Sequence, residues 1–287
     1  MTIGTAGNDS WTIINPGSYL IDGLGGTDTV SLGTSTRAAY TLTQGGDGAV
    51  EIDAISGASA SLHITLYNVE RLVLDSGRDV IDLSTFFGPA MIVGGAGNDS
   101  FSAPAASQNY DGSGGIDTVV FAQPRAAYAL ALSTGADVVS TGSLRYELAN
   151  VERLRFNDVQ LALDLDGHAG QVAKLLGAVF GAEAVANPAY VGIGLQLADG
   201  GTSYEALGQL ALDAQLGPNA SAQAVVTLLY TNVVGVAPGP ADLAFYVGLL
   251  EAQTFTPGAL AVLAADTDLN QAHIDLVGLA HTGLAFA

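Results

Sequence analysis

The amino-acid sequence predicts a multidomain chain, β then α: an N-terminal half of short strands stacked as coils with hairpin insertions, followed by a C-terminal all-α helical bundle. Three observations support this. A Gly- and Asp-rich nonapeptide recurs in the first half, a longer segment containing it is duplicated, and beyond Asp164-Leu165-Asp166-Gly167 the chain turns to Ala- and Leu-rich segments with helical periodicity. The expected domains are 1–163, in two imperfect modules of about 1–88 and 89–163, and 164–287.

The clearest nonapeptide is Gly94-Gly95-Ala96-Gly97-Asn98-Asp99-Ser100-Phe101-Ser102. Gly4 to Trp11 repeats it with Gly4, Gly7 and Asp9; Gly23 to Val30 keeps Gly23, Gly26 and Asp28; Gly112 to Val119 keeps Gly112, Gly115 and Asp117. A degenerate copy retains Gly77, Asp79 and Ile81. Glycine permits the tight, positive-φ path that turns carbonyl oxygens inward, and Asp adds hard anionic oxygens suited to Ca²⁺. Each unit therefore reads as a calcium-binding turn followed by a short strand whose eighth residue (Trp11, Val30, Phe101, Val119) faces a core. Asp9 to Asp28 spans 19 residues, Asp79 to Asp99 spans 20 and Asp99 to Asp117 spans 18, each close to two nonapeptides. Two nonapeptides then make one coil turn and bring the loops onto a common edge. The intervening loops, Asn15 to Ser18 and Pro104 to Asn109, lack the pattern, so metal is expected on one edge only.

At these motifs the chain resembles the RTX family, the hemolysin-type calcium-binding repeats of secreted bacterial proteins. The resemblance implies a parallel β-roll or β-helix-like domain with Ca²⁺ held by Asp carboxylates and loop carbonyls. It also implies export by a one-step type I route that reads an uncleaved C-terminal signal.

The duplication pairs Gly7-Asn8-Asp9-Ser10 with Gly97 to Ser100, Asp22-Gly23 with Asp111-Gly112, and Asn68-Val69-Glu70-Arg71-Leu72 with Asn150-Val151-Glu152-Arg153-Leu154. Between them, Ala39 to Thr43, a Gly-rich turn over 44–48 and Ala49 to Ile52 form a hairpin signal. Each module then ends in a Val-Glu-Arg-Leu strand, whose repeated Glu and Arg suggest a structural role.

In the second half Val172, Leu175, Leu176 and Val179 share a helical face. Thr202 or Ser203 caps a helix carrying Leu207, Leu210 and Leu212, and Val225, Leu228, Leu229 and Val233 line another. Further helices begin near Pro240, Pro257 and Asp268. Leu175, Leu176, Leu207 and Leu210 recur at an offset of 53 as Leu228, Leu229, Leu260 and Leu263. This half resembles the helical domain of unknown function commonly appended to RTX repeats, with Tyr190 and Phe245-Tyr246 where that family usually carries Trp. The last helix, Asn270 to Ala287, reads as an export signal or as the closing helix of the bundle.

The formal charge of −20, from 28 acidic and 8 basic residues, argues against nucleic acid and anionic membranes as partners and favours bound cations. The chain contains 0 Cys, which removes disulfides and thiolate chemistry. Met1-Thr2-Ile3 runs into the first repeat without a signal-peptide pattern, and no stretch reads as a membrane span. His-Glu-x-x-His, Gly-x-Ser-x-Gly and a phosphate-cradling loop ending in Gly-Lys are absent from the sequence. His63, His168, His273 and His281 are scattered, and Asp164 and Asp166 read as helix caps. The expected protein is a secreted, non-catalytic calcium binder at a bacterial cell surface or in its matrix, structural or adhesive, whose β domain folds on calcium after export. Its expected partners are calcium, then self-association or a cell-surface polysaccharide or protein. Two alternatives stay open: an enzyme acting on extracellular polysaccharide, and a helical half that is a specific protein-binding module.

Overall fold

The computed structural model describes residues 1–33, 39–45, 47–56, 62–74, 77, 79–85, 91–132 and 137–287. The chain divides into two compact units, Met1–Val159 and Gln160–Ala287.

The first unit contains β1 (Thr2–Ile3), β2 (Ser10–Ile13), β3 (Gly17–Asp22), β4 (Thr29–Leu32), β5 (Ala39–Gln44), β6 (Val50–Ser56), β7 (Leu62–Tyr67), β8 (Arg71–Val73), β9 (Val80–Thr85), β10 (Met91–Val93), β11 (Ser100–Ser102), β12 (Gln108–Asp111), β13 (Thr118–Val120), β14 (Ala129–Ala131), β15 (Asp137–Thr141), β16 (Leu144–Ala149) and β17 (Arg153–Arg155). They form two mixed sheets. The first runs β1-β3-β7-β6-β5-β9-β11-β13-β17 and the second β14-β15-β16-β12-β10-β8-β4-β2. Consecutive strands alternate between sheets except at two hairpin insertions, β5-β6-β7 in the first sheet and β14-β15-β16 in the second. The expected hairpin is present, with Thr43 opposite Glu51 and Gln44 opposite Val50; residue 46 of its turn lies outside the described residues.

Apart from the hairpin strands, neighbours pair in parallel, so every coil strand of one sheet runs the same way. A loop from the first sheet to the second therefore lies on one edge, and a loop from the second to the first lies on the other. The loops carrying Asp9 and Asp28 pass from first to second sheet, whereas those carrying Asp79, Asp99 and Asp117 pass from second to first. The expectation of a single Asp-bearing edge is thus corrected. The first module passes through seven sheet positions (β1, β2, β3, β4, β5–β7, β8 and β9), an odd number, so the second module starts from the opposite sheet. The modules repeat the same order of elements with the sheets exchanged.

Register explains the eighth-place apolar residues. In the second sheet Trp11, Val30, Leu72, Ile92, Tyr110 and Leu148 stack in one row; in the first, Tyr40, Ile81, Phe101, Val119 and Leu154 do so. Val30, Phe101, Val119 and Leu154 are fully buried. Trp11 is only half-buried because its row ends there. Phe101 meets Tyr110 of the facing sheet with ring centroids 5.3 Å apart. Past β13 the core becomes aromatic: Phe121 stacks on Phe156 at 5.2 Å and contacts Tyr128 and Tyr146 at 4.9 and 5.3 Å.

The second unit opens with β18 (Gln160–Ala162) and continues as α1 (His168–Phe180), α2 (Pro188–Asp199), α3 (Tyr204–Leu216), α4 (Ala222–Val234), α5 (Pro240–Glu251), α6 (Pro257–Ala265), α7 (Asp268–His273), α8 (Leu276–Thr282) and β19 (Leu284–Phe286). It is a helical region closed by an antiparallel β18–β19 ladder, Leu161 opposite Ala285, which places its start before the expected residue 164. The expected closing helix over 270–287 is broken. Asp275 takes left-handed φ (50°) and caps Gly278, and Gly283 (φ 74°) ends the helix ahead of β19. Asp164 acts on α1 as expected, its Oδ2 accepting the Ala169 N–H at 3.3 Å, while the N-cap position itself is Gly167.

The offset of 53 residues superposes α1-α2-α3 on α4-α5-α6. Ser203 and Thr256 cap α3 and α6 equivalently, accepting from the N–H of Ala206 and Ala259. The two capped helices cross closely, a Cβ on Gly208 lying 3.0 Å from the Gly258 carbonyl. Asn270, 1% exposed, ties the crossing to α1 by donating to the carbonyls of Lys174 (2.9 Å) and Ala265 (2.8 Å). Leu207 and Leu260 are buried, whereas Leu210 and Leu263, expected on the same core-facing helices, are 47% and 46% exposed.

Truncating the aromatic core should be costly and truncating the outer face should not. Urea titration is expected to show Phe121→Ala losing roughly 3–5 kcal/mol, against about 0.5 kcal/mol or less for Val80→Ala on the exposed side of β9.

Candidate metal centre

Asp28, Asp99 and Asp117 each reach backward by one coil, whereas Asp9 turns within its own loop, its Oδ2 accepting the Thr5 N–H at 2.6 Å and the Thr5 hydroxyl at 2.9 Å. Asp28 Oδ1 accepts the Asp9 backbone N–H at 2.8 Å, Asp99 Oδ1 accepts that of Asp79 at 2.7 Å, and Asp117 Oδ1 accepts that of Asp99 at 2.7 Å. Both ladders end on a glutamate: Glu70 Oε2 accepts from Asp28 N at 2.9 Å, and Glu152 Oε2 from Asp117 N at 2.8 Å. Glu70 and Glu152 are not strand residues. They close the short turns before β8 and β17, behind Asn68 and Asn150 at φ 51° and 49°. Register pairs Thr29 with Arg71 and Thr118 with Arg153, so each Glu stands in the place of the Asp on the preceding coil. Asp-x-Val and Glu-Arg-Leu share the spacing of acid and core residue, a signal that could have linked them in the sequence.

The other carboxylate oxygen faces glycine. A Cβ on Gly23 would collide with Asp28 Oδ2 and the Asn68 carbonyl, and one on Gly112 with Asp117 Oδ2 and the Asn150 carbonyl. On Gly94 it would collide with Asp99 Oδ2 and lie 2.9 Å from the Gly112 carbonyl; on Gly4 it would lie 2.8 Å from both Asp9 Oδ2 and the Gly23 carbonyl. The first glycine of each loop is thus a cradle between the carboxylate of its own loop and the first loop carbonyl of the next coil. The fourth-place glycines stack directly. Gly26 (φ 127°) and Gly115 (φ 136°) sit on Gly7 and Gly97, positions closed to a side chain by both space and φ. Gly95 and Gly97 adopt positive φ and bond to the Gly114 backbone at 3.0 and 2.7 Å. Gly77 is buried in the loop before β9; residues 75, 76 and 78 of that degenerate copy lie outside the described residues.

Side chains beside the Asp ladders fix the loops. Asn8 and Asn98 accept the N–H of Thr27 and Ile116, each at 2.9 Å. Asp22 and Asp111 hold the positive-φ residues Leu24 and Ser113 by their N–H groups and bond the Asn68 and Asn150 amides at 2.8 Å.

Asp28 and Asp117 are 0% exposed, and their Oδ2 atoms are buried without a hydrogen-bond partner. A desolvated carboxylate oxygen of this kind is costly unless a cation or a proton meets it. Burial, reinforced by the charges of Asp99, Glu152 and Asp111 and opposed by the Asp99 N–H, pushes the Asp117 carboxyl up to about 8. Among the described residues no three His, Asp or Glu side chains converge to hold a metal alone. The donor set therefore fits a hard cation only as carboxylate plus loop carbonyl, the pairing found at Gly4, Gly23, Gly94 and Gly112.

His63 pairs with Asp53 (2.6 Å) and His168 with Asp199 (2.8 Å), each away from the ladders. No protein-family model and no curated protein matches the chain.

Two predictions test this geometry. Gly112→Ala should destabilise the first unit by roughly 1–3 kcal/mol through overpacking, whereas Gly114→Ala, whose Cβ meets open space, should stay within about 0.5 kcal/mol. Because the folded-state Asp117 carboxyl titrates well above its ordinary value of 3.8, its contribution in chelator is most favourable below pH 4 and is lost as pH rises toward 8. Thermal melts in chelator should therefore show wild type losing stability relative to Asp117→Asn across that window.

Proposed function

We propose that the first unit is an RTX-like β-roll whose stacked loops bind calcium, and that the chain is an exported, non-catalytic structural or adhesive protein. The observation that carries this reading is the pair of acid ladders, buried at Asp28, Asp79, Asp99 and Asp117, in which a carboxylate oxygen and a carbonyl of the next coil meet over a glycine. Asp9 and Asp28 with the carbonyls of Gly23 and Asn68 would hold ions on one edge; Asp99 and Asp117 with those of Gly112 and Asn150 would hold them on the other, and Asp79 extends that stack. Bound calcium neutralises the clustered carboxylates. The protein's own part is to fix the oxygens through backbone hydrogen bonds and to exclude water by burial.

A net charge of −20 supports coupling of folding to metal. Where free calcium is low, the ladders repel and the unit stays loose; at the roughly millimolar levels of extracellular sites the repulsion is relieved. A non-catalytic role is supported by the use of the acids, since one oxygen of Asp9, Asp28, Asp99 and Asp117 is committed to a backbone N–H. Among the described residues no helix is long and apolar enough to cross a membrane.

Circular dichroism during calcium titration tests the proposal. Wild type should gain β signal with calcium, and the double substitution Asp99→Ala plus Asp117→Ala should shift the midpoint to at least ~10-fold higher calcium. A wild-type chain fully folded in chelator and indifferent to calcium would overturn it.

A further inference from the structure

The helical repeats each leave an apolar groove open at the same place. One, of about 350 Å³, lies between α1, α2 and α3, and the other, of about 130 Å³, is lined from α4, α5 and α6. Their linings correspond at the offset of 53: Phe180 with Val233, Ile193 with Tyr246, Leu210 with Leu263. The rims are apolar as well, Ile193, Leu210 and Leu263 being 59%, 47% and 46% exposed. Repetition of the groove, with its exposed leucine, is not needed to pack the unit, because Leu207 and Leu260 already fill the core.

The surroundings are strongly acidic. Residues 160–287 hold eleven Asp and Glu against a single Lys and no Arg, and that Lys174 is paired with Asp266 at 2.6 Å. At the second groove Asp242 accepts the hydroxyl of Tyr230, a lining residue, at 2.9 Å, while Glu205 and Asp213 of α3 turn to Thr256 and Gln209 and add to the charge of the unit rather than to the lining of the first groove. A surface of this charge repels a second copy of the same chain and attracts a cation-bearing partner. An apolar groove between helices takes the apolar face of an amphipathic helix.

We propose that the helical unit is a two-site receptor for a basic amphipathic helix of a partner protein, one helix per groove, with apolar anchors seated against Leu210 and Leu263 and Lys or Arg facing the acidic surface of the unit. The inference is independent of calcium binding by the first unit.

The test uses the full chain and a synthetic helical peptide of Leu and Lys with one apolar face, followed by calorimetry. Two peptides should bind per chain, weakening as salt rises. Leu210→Asp and Leu263→Asp should each lower the stoichiometry to one, and the double variant should lower it to none. Leu210→Ser and Leu263→Ser provide milder changes, and circular dichroism with thermal melting identifies any variant that has unfolded. The proposal is overturned if the folded double variant binds as wild type does, if a scrambled peptide of the same charge without an apolar face binds equally, if a fatty acid or an acidic amphipathic helix binds as tightly as the basic one, or if sedimentation shows the grooves closed by a second copy of the chain.

Discussion

A carboxylate reaching across one coil to the backbone N–H of the acid before it is the contact on which the first unit depends. Coils of short parallel strands leave loop N–H groups that no strand ladder can satisfy, and a buried unsatisfied donor is expensive. Asp at the sixth place has the reach to satisfy one such donor per coil. The same choice sets like charges one strand spacing apart, roughly 4.8 Å, with Asp28, Asp79, Asp99 and Asp117 buried. Each stacking contact thus creates the electrostatic problem that a proton or a cation must resolve.

Glycine makes this stacking possible in two distinct ways. At the first place its missing Cβ leaves room for a carboxylate and a carbonyl; at the fourth place it lets successive loops lie on one another with positive φ. Where glycine gives way to Asn68 or Asn150, the loop shortens and the acid becomes Glu, whose extra methylene spans the remaining distance.

The two units solve duplication differently. In the first, the repeated modules share continuous sheets, and the odd number of sheet positions in a module exchanges the roles of the two sheets from one module to the next. In the second, the repeats meet through a close helix crossing at Gly208 and Gly258 and keep separate helix triplets. The crossing buries Leu207 and Leu260 and leaves the next turn of each helix, with Leu210 and Leu263, on the outside.

The sequence by itself determined the local features: the β-then-α order, the hairpin over 39–52, the cores built on Val30, Phe101 and Val119, the helix starts at Pro240, Pro257 and Asp268, and the acids Asp9, Asp28, Asp79, Asp99 and Asp117 as a set. These follow from short-range rules, since glycine conformation, strand alternation, proline and caps act within a few residues. Only the tertiary structure decided that the acids form two ladders on opposite edges, that Glu70 and Glu152 complete them, that the last helix breaks at Asp275 and gives way after Gly283 to a strand paired with β18, and that Leu210 and Leu263 face outward. Each of these depends on which distant segment lies alongside, through sheet order and helix crossing, and no local periodicity encodes that neighbour.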